Sequence, residues 1–224
     1  EELEVKIVKM GVIYTAYAKL MPEGYDEPTW IPIGRHGAPG LDSPHLALKA
    51  ANGKADHRGS GKVSEAEVTF DEVSITSSVW ETKIIGEEST DASYTTLFQN
   101  EDEFGGNFTM KNEEDSHWAL DRGLTIVTKY GLFGDEENPV KNIALLNKDM
   151  PEGDYDIEVQ ASFQLTSQMP QVGIALYQDD ANFLLLGRYG KEHGYNLKRT
   201  DVFRKVTGGT DSPLEGQTYR AYSE

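Results

Sequence analysis

The 224-residue chain carries a formal net charge of −17, with 38% hydrophobic and 26% charged residues, so it holds enough apolar material for a core and is not a disordered tail. That acidity repels phosphate backbones and anionic lipid surfaces, which sets aside nucleic acid and membranes as partners. The absence of cysteine removes disulfides, thiolate nucleophiles, iron–sulfur clusters and cysteine-type zinc sites together.

Val5 to Ala18, the first patterned segment, predicts a strand, followed by Leu46 to Ala50 and Ala66 to Ile75. Val79, Trp80, Ile84 and Ile85 supply material for an extra edge strand, and the polar, acidic run Glu87 to Ser93 reads as a connector. Leu124 to Thr128 alternates again. The clearest case is Asp154 to Gln164, where Ile157, Val159, Ala161 and Phe163 alternate with Asp156, Glu158, Gln160, Ser162 and Gln164, giving one buried and one wet face. Gln171 to Tyr177, Phe183 to Arg188 and Tyr195 to Arg199 follow. Their apolar runs are strand-sized and too short to span a bilayer. β-branched and aromatic residues fill most of these segments, and turn signals such as Pro22-Glu23-Gly24, Asn52-Gly53 and Gly208-Gly209 separate them. No window of a dozen residues carries a helical apolar stripe. An all-β sandwich or barrel is expected.

Residues 139–189 resemble the core of the C-terminal β-sandwich domain of family 43 β-xylosidases and related carbohydrate-active proteins. The similarity runs through Asn138-Pro139 to Leu145-Leu146, Gly153-Asp154-Tyr155-Asp156-Ile157-Glu158, and Val172 to Phe183, with Trp118 to Thr128 upstream. Leu3 to Tyr17, Trp30 to Gly34, Pro44 to Leu48 and Phe70-Asp71-Glu72-Val73 resemble the closing strands of the same domain, displaced to the front of this chain. The resemblance implies a concanavalin A-like, jelly-roll sandwich in circularly permuted order. Residues 1–76 would supply closing strands, 77–97 a connector, and 98–224 the opening strands. Each half alone would leave open sheet edges and an uncovered core. The halves either close within one chain, which is favoured because sandwich termini sit close together, or exchange between chains into a homo-oligomer or fibre.

The same resemblance implies a non-catalytic accessory module that binds polysaccharide or oligosaccharide outside the cell or at its surface. Sugar recognition needs an exposed aromatic ring for stacking and planar polar groups for the hydroxyls. Trp30, Trp118, Tyr130, Tyr177 and Tyr189 are the candidate aromatics, and Glu158, Gln160 and Arg188 the candidate polar partners. The plainer reading makes the tryptophans core residues and the polar groups an ordinary solvated face. Asp154, Asp156 and Glu158 share one face, as do the catalytic carboxylates of laminarinase-like hydrolases, but the glutamate that should open that motif is missing. A Ca²⁺ site built on Asp71 and Glu103 is expected if closure makes them neighbours, and Asp179, Asp180 and Asn182 form a further acidic turn. Solvated acidic turns are the simpler account of both. Asn107-Phe108-Thr109 has the form of a glycosylation sequon, a triplet that chance supplies in a chain of this length. His36, His45, His57, His117 and His193 show no metal-binding spacing.

Overall fold

A computed structural model describes residues 2–20, 26–52, 65–77, 93–131, 138–151, 153–163, 170–193, 196–208 and 217–223. The alternating segments form strands, in chain order β1 (Glu2–Met10), β2 (Ile13–Leu20), β3 (Thr29–Gly37), β4 (His45–Asn52), β5 (Glu67–Ser77) and β6 (Ser93–Thr96). A short helix, α1 (Glu101–Asn107), precedes β7 (Phe108–Lys111), β8 (Trp118–Leu120), β9 (Leu124–Val127), β10 (Ile143–Asp149) and β11 (Tyr155–Phe163). β12 (Pro170–Asp179), β13 (Asn182–His193), β14 (Asn196–Val206) and β15 (Gln217–Ser223) complete the set. The fold is an all-β sandwich of two antiparallel sheets.

The eight-stranded sheet runs β3-β2-β1-β11-β5-β9-β8, with β6 paired to β5, and the seven-stranded sheet runs β15-β14-β13-β12-β4-β10-β7. Strands from the front and the back of the chain interleave. β11 is flanked by β1 and β5, and β4 is flanked by β12 and β10. The reason is the alternation itself. Leu3, Val5 and Ile7 of β1 and Ile157, Val159 and Ala161 of β11 face the same interior, joined there by Phe70 of β5 and by Leu48, Ile174 and Leu186 of the opposite sheet. A one-residue slip in any of these strands would turn its apolar set out to water.

The expected strand Val5 to Ala18 is a hairpin, in which Met10 pairs with Ile13 across a turn at Gly11 and Val12. Gly11 has φ +58, a left-handed backbone that favours glycine. Asp154 Oδ1 accepts a bond from the Gly11 N–H at 2.7 Å and fixes that turn. α1 is the element that strand patterning passes over. Asn100 caps it by accepting from the Glu103 N–H at 2.7 Å, so a local cap, and not an apolar stripe, specifies it. Asn107 closes the helix with 1% of its surface exposed and donates to the Glu103 carbonyl at 2.8 Å, so the acceptor asparagine of the sequon is not presented on the surface.

Part of the expected connector is a strand, because β6 pairs with β5 from Val73↔Thr96 to Thr76↔Ser93. Val79, Trp80, Ile84, Ile85 and residues 87–92 lie outside the described residues. No described helix is long and apolar enough to cross a membrane.

Candidate functional site

The outer face of the eight-stranded sheet is built by residues that alternate with the core set. Strand pairing sets them in rows across the sheet. One row reads Ser74 (β5), Glu158 (β11), Lys6 (β1), Tyr17 (β2) and Pro32 (β3). Its neighbour carries Glu72, Gln160 and Glu4 from β5, β11 and β1, then Lys19 and Trp30 from β2 and β3. Glu158 and Gln160, expected from β11 alone, therefore share a face with Trp30, which reaches that face from three strands away.

Each row holds one pair of opposite charges. Lys6 Nζ lies 3.1 Å from Glu158 Oε1, and Lys19 Nζ lies 2.5 Å from Glu4 Oε2. Both ammonium groups also stand over the indole of Trp30, at 4.5 Å for Lys6 and 5.8 Å for Lys19, and Lys6 is 5.9 Å from the Tyr17 ring. The Glu4 hydrogen bond leads in raising the Lys19 pKa, so that amine stays charged. Half of the Glu158 side chain is exposed, so its pair with Lys6 contributes only about 0.2–1 kcal/mol, and an ammonium over the half-buried Trp30 ring adds about 0.5–2 kcal/mol.

Asp156 projects from the same strand and is half-buried. Burial raises its pKa, Lys6 opposes, and Glu158 adds to the rise. Asp154, the third carboxylate of the hydrolase comparison, is engaged with the Gly11 turn.

The remaining expected residues are dispersed. Trp118, on β8, packs against Phe104 with ring centroids 5.3 Å apart, and its indole N–H donates to Glu113 at 3.1 Å. Tyr130 makes an isolated backbone bridge to Asn52. Tyr177 belongs to the outer side of the seven-stranded sheet, where its hydroxyl donates to Asp180 Oδ1 at 2.7 Å and accepts from Lys111. Arg188 is 5% exposed, and its guanidinium donates to the Glu2 carbonyl at 3.3 Å, tying β13 to β1. Tyr189 pairs with Gln171 in the β12–β13 ladder, and its side chain lies outside the described residues.

Asp71 and Glu103 have separate surroundings. Burial raises the Asp71 pKa, with a bond from Ser162 opposing and Glu2 adding, whereas Glu103 accepts from the Thr96 hydroxyl and from the Gln99 N–H. Among the described residues, no group of three or more histidines and carboxylates is placed to hold a metal ion. Asp179 bonds Asn182 and the Ala181 N–H within its own turn.

Two features escape sequence reading. Lys49 is 2% exposed on β4 and donates to Gln171 Oε1 at 2.9 Å. Burial, with Arg204 adding, pushes its pKa down to about 7. A cavity of about 150 Å³ lies between the 38–41 segment and the β13–β14 strands, lined by Ala38, Leu41, Phe183 and Val206 among others. It is smaller than the ~300–1,000 Å³ usual for ligand sites. Two polar side chains at its wall are already engaged, Lys205 with the Gly37 carbonyl and Asn182 with the Gly208 N–H. The open face of the eight-stranded sheet is the better-equipped surface.

No family model and no curated protein matches this chain.

Proposed function

We propose that this protein is a non-catalytic carbohydrate-binding module of the concanavalin-like kind, taking a polysaccharide or oligosaccharide on the outer face of the eight-stranded sheet. The observation that carries the reading is the meeting of Trp30 and Tyr17 with Glu4, Glu158 and Gln160 in two adjacent cross-strand rows. An indole and a phenol supply apolar ring faces, and carboxylates and an amide beside them supply hydrogen-bond acceptors and donors at fixed spacing. A face eight strands wide suits a polymer better than a free monosaccharide. The reading carries with it a location outside the cell or at its surface.

Affinity electrophoresis through gels containing xylan, β-glucan or pectin tests the reading. Retardation by at least one of them, lost on Trp30→Ala, is the expected result. Unchanged migration in every gel would remove the function and leave the fold intact.

Hydrolysis is a second reading, supported by the raised pKa of Asp156 beside Glu158. Against it stands Asp154, whose carboxylate fixes a turn. Release of reducing ends from the same polysaccharides, abolished in Glu158→Gln, would favour the enzyme.

A further inference from the structure

We infer that the outer face of the eight-stranded sheet selects polysaccharide chains without carboxylates and turns uronate-bearing chains away. The inference rests on the binding function proposed above and narrows its ligand to one charge class.

The selecting feature is a bulge in β5. Gln160 of β11 pairs with Glu72, but the next residue, Ala161, pairs with Phe70, so β5 carries one residue more than its neighbour there. Phe70 and Val73 both belong to the core, which leaves Asp71 and Glu72, between them, for the outer side. Ser162 of β11 hydrogen-bonds Asp71, and Glu2 of β1 lies across from Ser162. Glu2, Asp71 and Glu72 therefore gather beside Gln160 and Glu4, in and next to the row that holds Trp30. These carboxylates feel one another, since the Glu2 charge adds to the rise that burial imposes on the Asp71 pKa. Nearby cations do not balance them. Lys6 and Lys19 are paired with Glu158 and Glu4, and among the described residues no ion pair forms at Glu2, Asp71 or Glu72. Arg35 lies across from Thr15 at the other end of the face. A chain that runs from Trp30 past Glu4 and Gln160 reaches Glu72, so a uronate there sets carboxylate against carboxylate with no counter-ion. Sugar hydroxyls at the same place find hydrogen-bond acceptors instead. The repulsion acts through water and carries a salt signature, because charges are felt over about 30 Å at 0.01 M salt and about 3 Å at 1 M.

Titration calorimetry at low and high salt tests the selection on three polymers that share a backbone. They are mixed-linkage β-glucan, the same glucan with part of its C6 hydroxymethyl groups oxidised to carboxylates, and the methyl ester of that oxidised form. Xylan with and without glucuronate branches repeats the contrast, and whichever backbone binds carries the result. At about 0.01 M salt the carboxylated polymer should bind about three- to ten-fold more weakly than its parent, and near 1 M the two should converge. Esterification should restore binding, which separates charge from the loss of a hydroxyl. Glu2→Gln combined with Glu72→Gln should close at least half of the low-salt gap. Glu101→Gln with Asp102→Asn removes the same charge from α1, which packs on β7 and β10 of the other sheet, and should leave the gap unchanged. Thermal melts verify that both double variants are folded. Equal or tighter binding of the carboxylated polymer at low salt would overturn the selection. A gap that survives high salt or esterification would do the same, as would equal relief by the α1 pair. If no uncharged polymer binds, the proposed function fails and the selection falls with it. Charged and uncharged polymers binding alike removes the selection alone.

Discussion

The imidazole of His36 lies 4.7 Å from the ring of Phe203, centroid to centroid, with its Nε2 3.0 Å from the Phe203 carbonyl oxygen. This contact joins β3, at the edge of one sheet, to β14 in the other. Burial lowers the His36 pKa from 6.5, the Phe203 carbonyl bond opposes, and the Lys205 ammonium adds to the lowering. The unfolded chain therefore binds the proton more readily, so this contribution to stability is complete above pH 6.5 and drains away as pH falls toward the lower folded value. Asp71 and Asp156, with raised pKa values, act in the opposite sense, so comparison with a variant isolates the histidine. Between about pH 8 and pH 5, the melting temperature of the parent should drop more than that of His36→Phe. Equal drops would show that another group titrates.

The core predicts two costly substitutions. Phe70 is fully buried against Leu124 and Ala161 positions, and Phe70→Ala should lose about 3–5 kcal/mol. A methyl group on Gly173 would meet the Leu186 carbonyl oxygen at 2.2 Å and Gly187 Cα at 2.6 Å, both of them backbone, so Gly173→Ala must force β12 and β13 apart. Its cost should reach about 3 kcal/mol or more. Urea titrations measure both, and a loss under about 1 kcal/mol would contradict the packing.

Trp30 and Trp118 should separate binding from stability. Trp30→Ala is expected to leave the melt nearly unchanged and weaken glycan retention about ten-fold. Trp118→Ala opens the contact with Phe104 and should cost about 2 kcal/mol while retention persists. The reverse pattern would relocate the site to β8.

Asp71 is bonded by Ser162 and Glu103 by Thr96, so a Ca²⁺ ion at either carboxylate would compete with those donors. Chelator and millimolar Ca²⁺ should give the same melting temperature. A calcium-dependent rise, abolished by Asp71→Asn, would establish the site.

Much of the sandwich can be read from alternation, because a half-buried strand repeats every two residues whatever its partners are. Asp154 to Gln164 gave β11 almost to the residue. β4 is harder, since Leu46 through Asn52 are all buried and period two vanishes when both faces are covered. The β1–β2 turn is hidden because a two-residue reversal leaves the apolar rhythm nearly unbroken, with Gly11 its one local sign. Trp30, Glu158 and Gln160 were each visible as residues suited to a sugar. Their union was not, because it depends on β1 entering between β2 and β11. Register between strands so distant in sequence is a property of the assembled sheet.

That insertion constrains how the protein emerges from the ribosome. Lys6 must wait for Glu158, 152 positions later, and at usual elongation rates the wait lasts on the order of ten seconds. Throughout it, β1 and β5 wait for β11, and β4 waits for β12, so one hydrogen-bonding edge of each stands open to other nascent chains. Polypeptides released before Pro170 should stay protease-sensitive and bind holdase chaperones, with protection arriving only once β12 can add to β4. Early protection of such truncated chains would mean that the front strands have another way to shelter themselves.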